Sequence, residues 1–192
     1  MRMPKPIIED QRFLDVDYGA QPLPTGTYEN CTFINCSFAG ADLGGRHFAD
    51  CVFEHCDLSL AKTVETAFRT VSFQHCKMLG LRFEDCNPFL LAVDFADCTL
   101  NFSTFYQVKL KQARFRQCQL EEVDFTDAQL PDAVFAACNL QRAVFENTVL
   151  KNADFRTAYA YRIDPEQNQI RKAKFSLSGV AGLLGKYGIV IE

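Results

Sequence analysis

Residues 110–135 read LKQARFRQCQLEEVDFTDAQLPDAVF, and every fifth side chain is large and apolar: Leu110, Phe115, Leu120, Phe125, Leu130 and Phe135. The column continues in both directions. From Leu90 to Phe155, fourteen consecutive fifth positions alternate Leu and Phe without a break. Upstream, in a register displaced by two, it reads Tyr28, Phe33, Phe38, Leu43, Phe48, Phe53, Leu58, Thr63, Phe68, Phe73, Met78 and Phe83, with Thr63 its one polar member. Neither a helix of ~3.6 residues per turn nor an alternating strand keeps every fifth residue on one core over such a length. A chain wound into stacked coils does.

Two residues before each central position the side chain is usually small, as at Ala41, Ala61, Ala113, Ala128, Ala133, Ala143 and Ala153, or is Cys. One large and one small inward group per five residues, with polar residues between, resembles the pentapeptide repeat family. The resemblance implies an all-β solenoid, a right-handed quadrilateral β-helix with four pentapeptides per square coil. The cysteines test a four-sided coil separately. Cys36, Cys56, Cys76, Cys98, Cys118 and Cys138 are spaced by 20, 20, 22, 20 and 20 residues, one vertical column. The single 22 falls where the Phe register slips, so both signals place a two-residue insertion around Asn87, Pro88 and Phe89. Cys31 and Cys51 form a second column and Cys86 lies beside the insertion.

Composition agrees with one ordered domain: 192 residues, 48% hydrophobic, 23% charged and 12% aromatic. Of the 18 Phe, fifteen lie in the central column once Phe13 is included. The nine Cys read as buried, reduced thiols acting as small hydrophobes, rather than as a disulfide framework or metal ladder. Their number is odd, the short paired steps of zinc sites are missing, and parallel Cβ vectors suit disulfides poorly. The sequence shows no signal-peptide pattern and no apolar run of spanning length, so a cytoplasmic protein without membrane contact is expected. A net charge of -4 offers no general electrostatic reason to bind nucleic acid directly.

Three segments follow: 1–27 as an irregular lead-in and first coil, 28–155 as the repeat β-helix, and 156–192 as a loop, a last repeat at Ala173-Lys174-Phe175, and a cap. At the N-terminus, Pro4, Pro6, Pro22 and Pro24 suit an end that offers no continuous edge for pairing. At the C-terminus, Ser178 is placed to cap a short amphipathic helix with Val180, Leu183, Leu184 and Tyr187 on one face, ended by Gly188. Ile189-Val190-Ile191 reads as a closing strand. These elements can plug the last coil. They also supply a second adhesive surface, which points to an end-to-end homodimer.

Little chemistry is legible. His55 and His75 stand one coil apart with Asn35 next in their column, a polar ladder more than a metal site. Gly179 to Tyr187 only faintly resembles a phosphate loop and fits helix packing better. With no nucleophile, base and orienting group converging, the sequence points to a protein that is not an enzyme and has no metal or cofactor.

Charge, however, sorts by face. The face of Leu43, Thr63, Phe83, Phe105, Phe125 and Phe145 carries Asp42, Glu65, Glu84, Asp85, Asp124, Asp127 and Glu146 against Lys62 and Arg82. The neighbouring face, through Phe48, Phe68, Leu90, Leu110, Leu130 and Leu150, leans basic with Arg69, Lys109, Lys111 and Lys151 against Asp50 and Asp132. A line of carboxylates on a narrow rod can engage a basic groove built for DNA phosphates.

Within the family, Cys76-Lys77-Met78-Leu79-Gly80, the stretch from Phe155 to Tyr161, and Lys172-Ala173-Lys174-Phe175-Ser176-Leu177 look like the albicidin-resistance pentapeptide repeat protein. The ending, Leu183-Leu184 to Gly188-Ile189-Val190-Ile191, is similar to the Qnr-type quinolone-resistance proteins. The resemblance implies a dimer joined at its C-termini that imitates duplex DNA and binds DNA gyrase or topoisomerase IV. It makes the acidic face the partner surface and the C-terminal residues the dimer contact. A generic protein-interaction scaffold is the alternative. Quinolone-protecting members depend on loops projecting from the coil, whereas this chain offers only the two-residue insertion.

Overall fold

The computed structural model describes residues 6–190. The chain winds as a right-handed quadrilateral β-helix whose coils pair in parallel at a 20-residue spacing, Phe33 opposite Phe53 and Phe53 opposite Phe73. On one side, Ile7–Glu9, Thr27–Glu29, His47–Ala49 and Ala67–Arg69 form a four-stranded sheet. The adjoining side carries a seven-stranded sheet that runs from Arg12–Leu14 to Val134–Ala136. The remaining sides are joined by single bridges such as Asp42 to Lys62 and Asp124 to Val144.

Corners keep the strands short. At most corners the residue two places after the central position takes positive φ, 51° at Asn30 and Asp50 and 53° at His75, and its N–H donates to the next coil, as from Asp50 to the Arg69 carbonyl at 2.9 Å. Asn and Asp adopt this left-handed conformation cheaply, whereas a β-branched or bulky residue does not. Leu60, Thr70 and Phe102 are nonetheless held there, at 56°, 54° and 63°. The ladder between coils overrides local preference.

Upstream, Tyr28, Phe48 and Phe68 form one aromatic stack of the interior; downstream, the interior is two aromatic columns. Phe83, Phe105, Phe125 and Phe145 stack face to face with centroids 4.3, 5.1 and 5.0 Å apart. Phe73, Phe95, Phe115, Phe135 and Phe155 do the same on the opposite side, at 5.5 to 4.7 Å. Across the interior the columns meet edge to face, Phe105 against Phe115 at 85° and Phe125 against Phe135 at 84°. These contacts between columns set ring edges toward ring faces, an arrangement the ring quadrupole favours. Thr63 fits the column because its hydroxyl donates to the Arg82 carbonyl at 2.7 Å.

All twelve upstream central residues are buried, as are thirteen of the fourteen downstream. Leu90 is the exception, 63% exposed at a corner with φ 58°. Leu91 packs against the core in its place. The insertion is where expected, since Val71 pairs with Val93, 22 residues on. Its two extra residues follow a 3-10 turn at Phe83–Asp85 and move the corner to Leu90; the four-stranded sheet ends at the coil before it. Upstream, the repeat starts earlier than Tyr28. Phe13 stacks on Phe33 at 4.7 Å, Tyr18 on Phe38 at 4.7 Å, and Leu23 is buried, so the first coil is regular. Arg46, at an inward small-residue position, is also buried, its guanidinium donating to the carbonyls of Leu23 and Gly44.

The C-terminal segment departs from the expected amphipathic helix. It forms two 3-10 turns, Val180–Leu183 and Gly185–Tyr187, ended by Gly188 at φ 59°. Glycines at 179, 182 and 185 disfavour a continuous helix, and two of them make room for a ring. A Cβ at Gly182 would lie 2.4 Å from the Tyr161 carbonyl oxygen, and one at Gly179 would lie 2.2 Å from the Tyr161 hydroxyl. Ser178 is not the cap; the Ser176 hydroxyl accepts from the Gly179 N–H at 3.1 Å. Ile189 and Val190 form no strand, and Ile191 lies outside the described residues.

Two substitutions check this register in denaturant titrations. Thr70→Gly is expected to raise stability by about 1 kcal/mol by relieving left-handed strain. Leu90→Asn is expected to cost nothing measurable, whereas Leu110→Ala, one coil on, is expected to cost about 2–5 kcal/mol.

Candidate partner-binding faces

The seven acidic residues do fall on one side of the coil. Backbone bridges run Asp42 to Lys62, Arg82 to Thr104 and Thr104 to Asp124, and the Asp127 N–H donates to the Glu146 carbonyl at 2.8 Å. They are not equivalent. Arg82 pairs with Glu84 at 3.2 Å and with Asp85 at 3.2 Å. Burial also pushes the Glu84 carboxyl above its usual range, and its Oε2 is enclosed without a partner. Arg82 therefore offsets part of the charge at the centre of the face. Asp42, Glu65, Asp124, Asp127 and Glu146 enter no ion pair among the described residues, so the charge divides into an upstream pair and a downstream trio.

Between these clusters the sequence reading missed an apolar centre. Val64 is 59% exposed, Phe89 62% and Tyr106 41%. A cavity of about 760 Å³, walled by Phe83, Pro88, Phe89, Leu91, Tyr106 and Val108, opens beside the insertion. Arg69 lies over the Phe89 ring, 5.3 Å from its centroid, and holds that side chain outside the core. Apolar anchors inside a charged rim are the usual anatomy of a protein-binding surface. The signal was present in the sequence as aromatics out of the five-residue phase, Phe89 and Tyr106.

The thiols have a structural task. All nine are free and buried. Cys51, Cys56, Cys76 and Cys138 each donate, at 3.3 Å, to the carbonyl of a central residue in the preceding coil: Tyr28, Phe33, Phe53 and Phe115. Thr66, Ser103 and Thr148 hydroxyls do the same to Leu43, Met78 and Phe125 at 2.7 to 2.9 Å. The small-residue column thus fills space and satisfies interior carbonyls. Burial pushes Cys51 and Cys86 up to about 12, so neither is a thiolate at neutral pH. His55 and His75 stack 4.7 Å apart, with Glu54 3.8 Å from His55.

Of the expected cap and dimer residues, Leu183 packs against the core and Leu184 is half-buried, while Val180, Tyr187 and Ile189 are exposed. Lys186 ties the segment down, with Nζ 2.9 Å from Asp164 and 2.7 Å from Glu166. The Tyr187 hydroxyl adds a donor to Glu166 at 3.2 Å. Facing away, Leu177, Val180, Tyr187, Ile189 and Val190 leave an apolar surface at this end of the rod.

The pentapeptide repeat region model matches residues 27–105, 46–125, 89–157 and 108–183. This four-sided solenoid therefore belongs to the pentapeptide repeat family. No curated protein sequence matches the chain. Among solved structures it is similar to a trypsin-treated variant of QnrB1, a plasmid-mediated fluoroquinolone resistance protein, with a TM-score of 0.63 at 16% identity over 95% of this chain and 99% of that one. Full-length QnrB1 gives a TM-score of 0.50 at 19% identity over 96% and 100%. At such identity the likeness is one of fold.

Two measurements test these assignments. Native protein is expected to resist thiol labelling until unfolded, and Cys98→Ser is expected to cost less than Cys98→Leu, whose added bulk costs about 1–3 kcal/mol. Lys186 lowers the pKa of Asp164 and of Glu166, chiefly by hydrogen bonding. Carboxyls depressed in the folded state stabilise it above the ordinary carboxylate range and cease to do so as pH falls through their folded values. The protection of residues 179–187 against hydrogen exchange, relative to the intrinsic rate at each pH, is therefore expected to fall in acid, below about pH 4, while Lys186→Met lowers it at neutral pH as well.

Proposed function

We propose that this chain is a non-enzymatic, dimeric DNA mimic that acts in the cytoplasm, binding a type II topoisomerase, DNA gyrase or topoisomerase IV, and modulating it or shielding it from poisons. The observation that carries the reading is the run of unpaired carboxylates, Asp42, Glu65, Asp124, Asp127 and Glu146, along one straight side. From Asp42 to the coil of Glu146 they span five coil steps, ~24 Å at ~4.8 Å per step. Such a surface suits a cationic groove made for a duplex. Its apolar centre at Val64, Phe89 and Tyr106 supplies the contacts that hold a protein partner once charge has steered the encounter.

The exposed apolar surface at the C-terminal end supports the second element, pairing of two copies end to end. Light scattering at micromolar concentration is expected to give twice 21.7 kDa. A monomer would remove the dimer.

For the partner, purified protein is expected to inhibit gyrase supercoiling or to change the yield of cleaved complex formed with a poison. Lysine at Asp124, Asp127 and Glu146 together is expected to weaken the effect and flatten its salt dependence. Tyr106→Ala with Phe89→Ala is expected to weaken binding at least tenfold without altering that dependence. If gyrase and topoisomerase IV are both indifferent to the wild-type chain, the topoisomerase reading fails and the scaffold reading, with a different partner, replaces it.

A further inference from the structure

The corner that turns from the Leu130 side to the Phe135 side is separated from the acidic side by the width of the Leu130 side. Its corner residues are Gln112, Asp132, Asn152 and Lys172, with φ between 59° and 62°. They stack one per coil: the N–H groups of Gln112, Asp132 and Asn152 donate to the carbonyls of Pro131, Lys151 and Arg171 at 2.9, 2.8 and 3.0 Å. On and beside this corner stand Lys111, Arg114, Lys151, Arg171, Lys172 and Lys174, all exposed. None enters an ion pair among the described residues.

The carboxylates nearby, Asp154, Asp132 and Asp94, are outnumbered by these six cations. Asp154 is held by Arg156, whose Nη2 lies 2.7 Å away and whose Nε reaches both its oxygens. Asp132 accepts from the Asn152 amide at 2.8 Å, and Asp94, one coil below, accepts from the Arg114 N–H at 2.9 Å. The corner therefore keeps a strong local positive charge although the whole chain is at -4. The acidic run does not cancel it. One side of the coil is about 10 Å of backbone, three extended residues at ~3.3 Å each, and outward side chains add to that. The separation exceeds the Debye length of ~8 Å at physiological salt.

We propose that this corner binds duplex DNA through its phosphates, without sequence preference. The six cations extend over three coil steps, ~14 Å, alongside which one strand of a duplex sets a phosphate every ~3.4 Å. The side chains among them, Gln112, Gln129 and Asn152, are amides that hydrogen-bond phosphate oxygens. The corner carries no exposed aromatic or long aliphatic residue from Lys109 to Lys174. That argues against a bilayer, which needs an apolar anchor, against single strands, which need stacking platforms, and against a protein hot spot. The proposal is independent of the acidic-face reading, and in a chain that has both surfaces they would bring a protein and a duplex to separate stripes of one rod.

Fluorescence anisotropy of a labelled 20-base-pair DNA duplex, titrated with the full chain at several salt concentrations, tests it. Binding is expected with a dissociation constant of roughly 1–100 µM at physiological salt, and with a log–log salt slope of about -4 to -5 for four to six phosphate contacts. Lys111→Ala, Arg114→Ala and Lys151→Ala combined should weaken it at least tenfold and reduce the slope by about 2–3, with an unchanged thermal melt. Arg at Lys111 and Lys151 should preserve binding, and Ala at Asp124 and Asp127 should not weaken it. No binding at about 50 mM salt would overturn the proposal. So would binding that the triple variant leaves intact, or capture by anionic phospholipid vesicles but not by the duplex.

Discussion

Everything in this molecule depends on backbone hydrogen bonds that cross a gap of 20 residues. They run both ways: the Asp57 N–H donates to the Cys36 carbonyl one coil below at 3.1 Å, and the Leu58 N–H to the Lys77 carbonyl one coil above at 2.7 Å. Such bonds fix not only the next coil but its phase, so equivalent positions of the repeat lie over one another. Phe stacks on Phe, thiol follows thiol, and a surface charge is repeated or offset one step, ~4.8 Å, along the axis. Stability in such an array is a sum over neighbours. That tolerates Leu60, Thr70 and Phe102 at left-handed corners, because the bonds to the adjoining coils outweigh each local penalty.

The same constraint explains what the sequence disclosed. Each side of the coil needs one large and one small inward residue, and only Thr63, whose hydroxyl finds a carbonyl, replaces a large apolar group upstream, so the periodicity survives in the bare sequence. The position of the insertion was legible for the same reason, being a phase shift shared by the Phe and Cys columns. Which leucine resumes the column was not. Two extra residues can be absorbed before or after Leu90, and only the corner geometry places Leu90 outside and Leu91 inside. The cap was misread because helical spacing of Val180, Leu183, Leu184 and Tyr187 was weighed without the ring of Tyr161, some 20 residues upstream, against which Gly179 and Gly182 close. In the acidic face, formal charges count alike although Glu84 and Asp85 are paired with Arg82 and the other five are not.

Small inward residues illustrate how one position meets two demands. Alanine fills the space and leaves a carbonyl lone pair unused; Cys, Ser and Thr fill it and donate to that carbonyl. Cysteine suits the column because it is the most apolar of the three. The abundance of thiols therefore follows from packing and carbonyl satisfaction together, and burial withholds them from redox chemistry.

Surface function is arranged in columns for the same reason. Carboxylates along one side, cations at the far edge of the next side, and an apolar centre beside the insertion are separate stripes on one rod. Carbodiimide footprinting of the acidic residues, with and without gyrase, tests the functional account most directly. Protection of Asp42, Glu65, Asp124, Asp127 and Glu146, with Asp50 and Asp97 labelled as before, is the predicted result. Equal labelling of all carboxylates in the presence of saturating gyrase, or protection confined to Asp50 and Asp97, would contradict it.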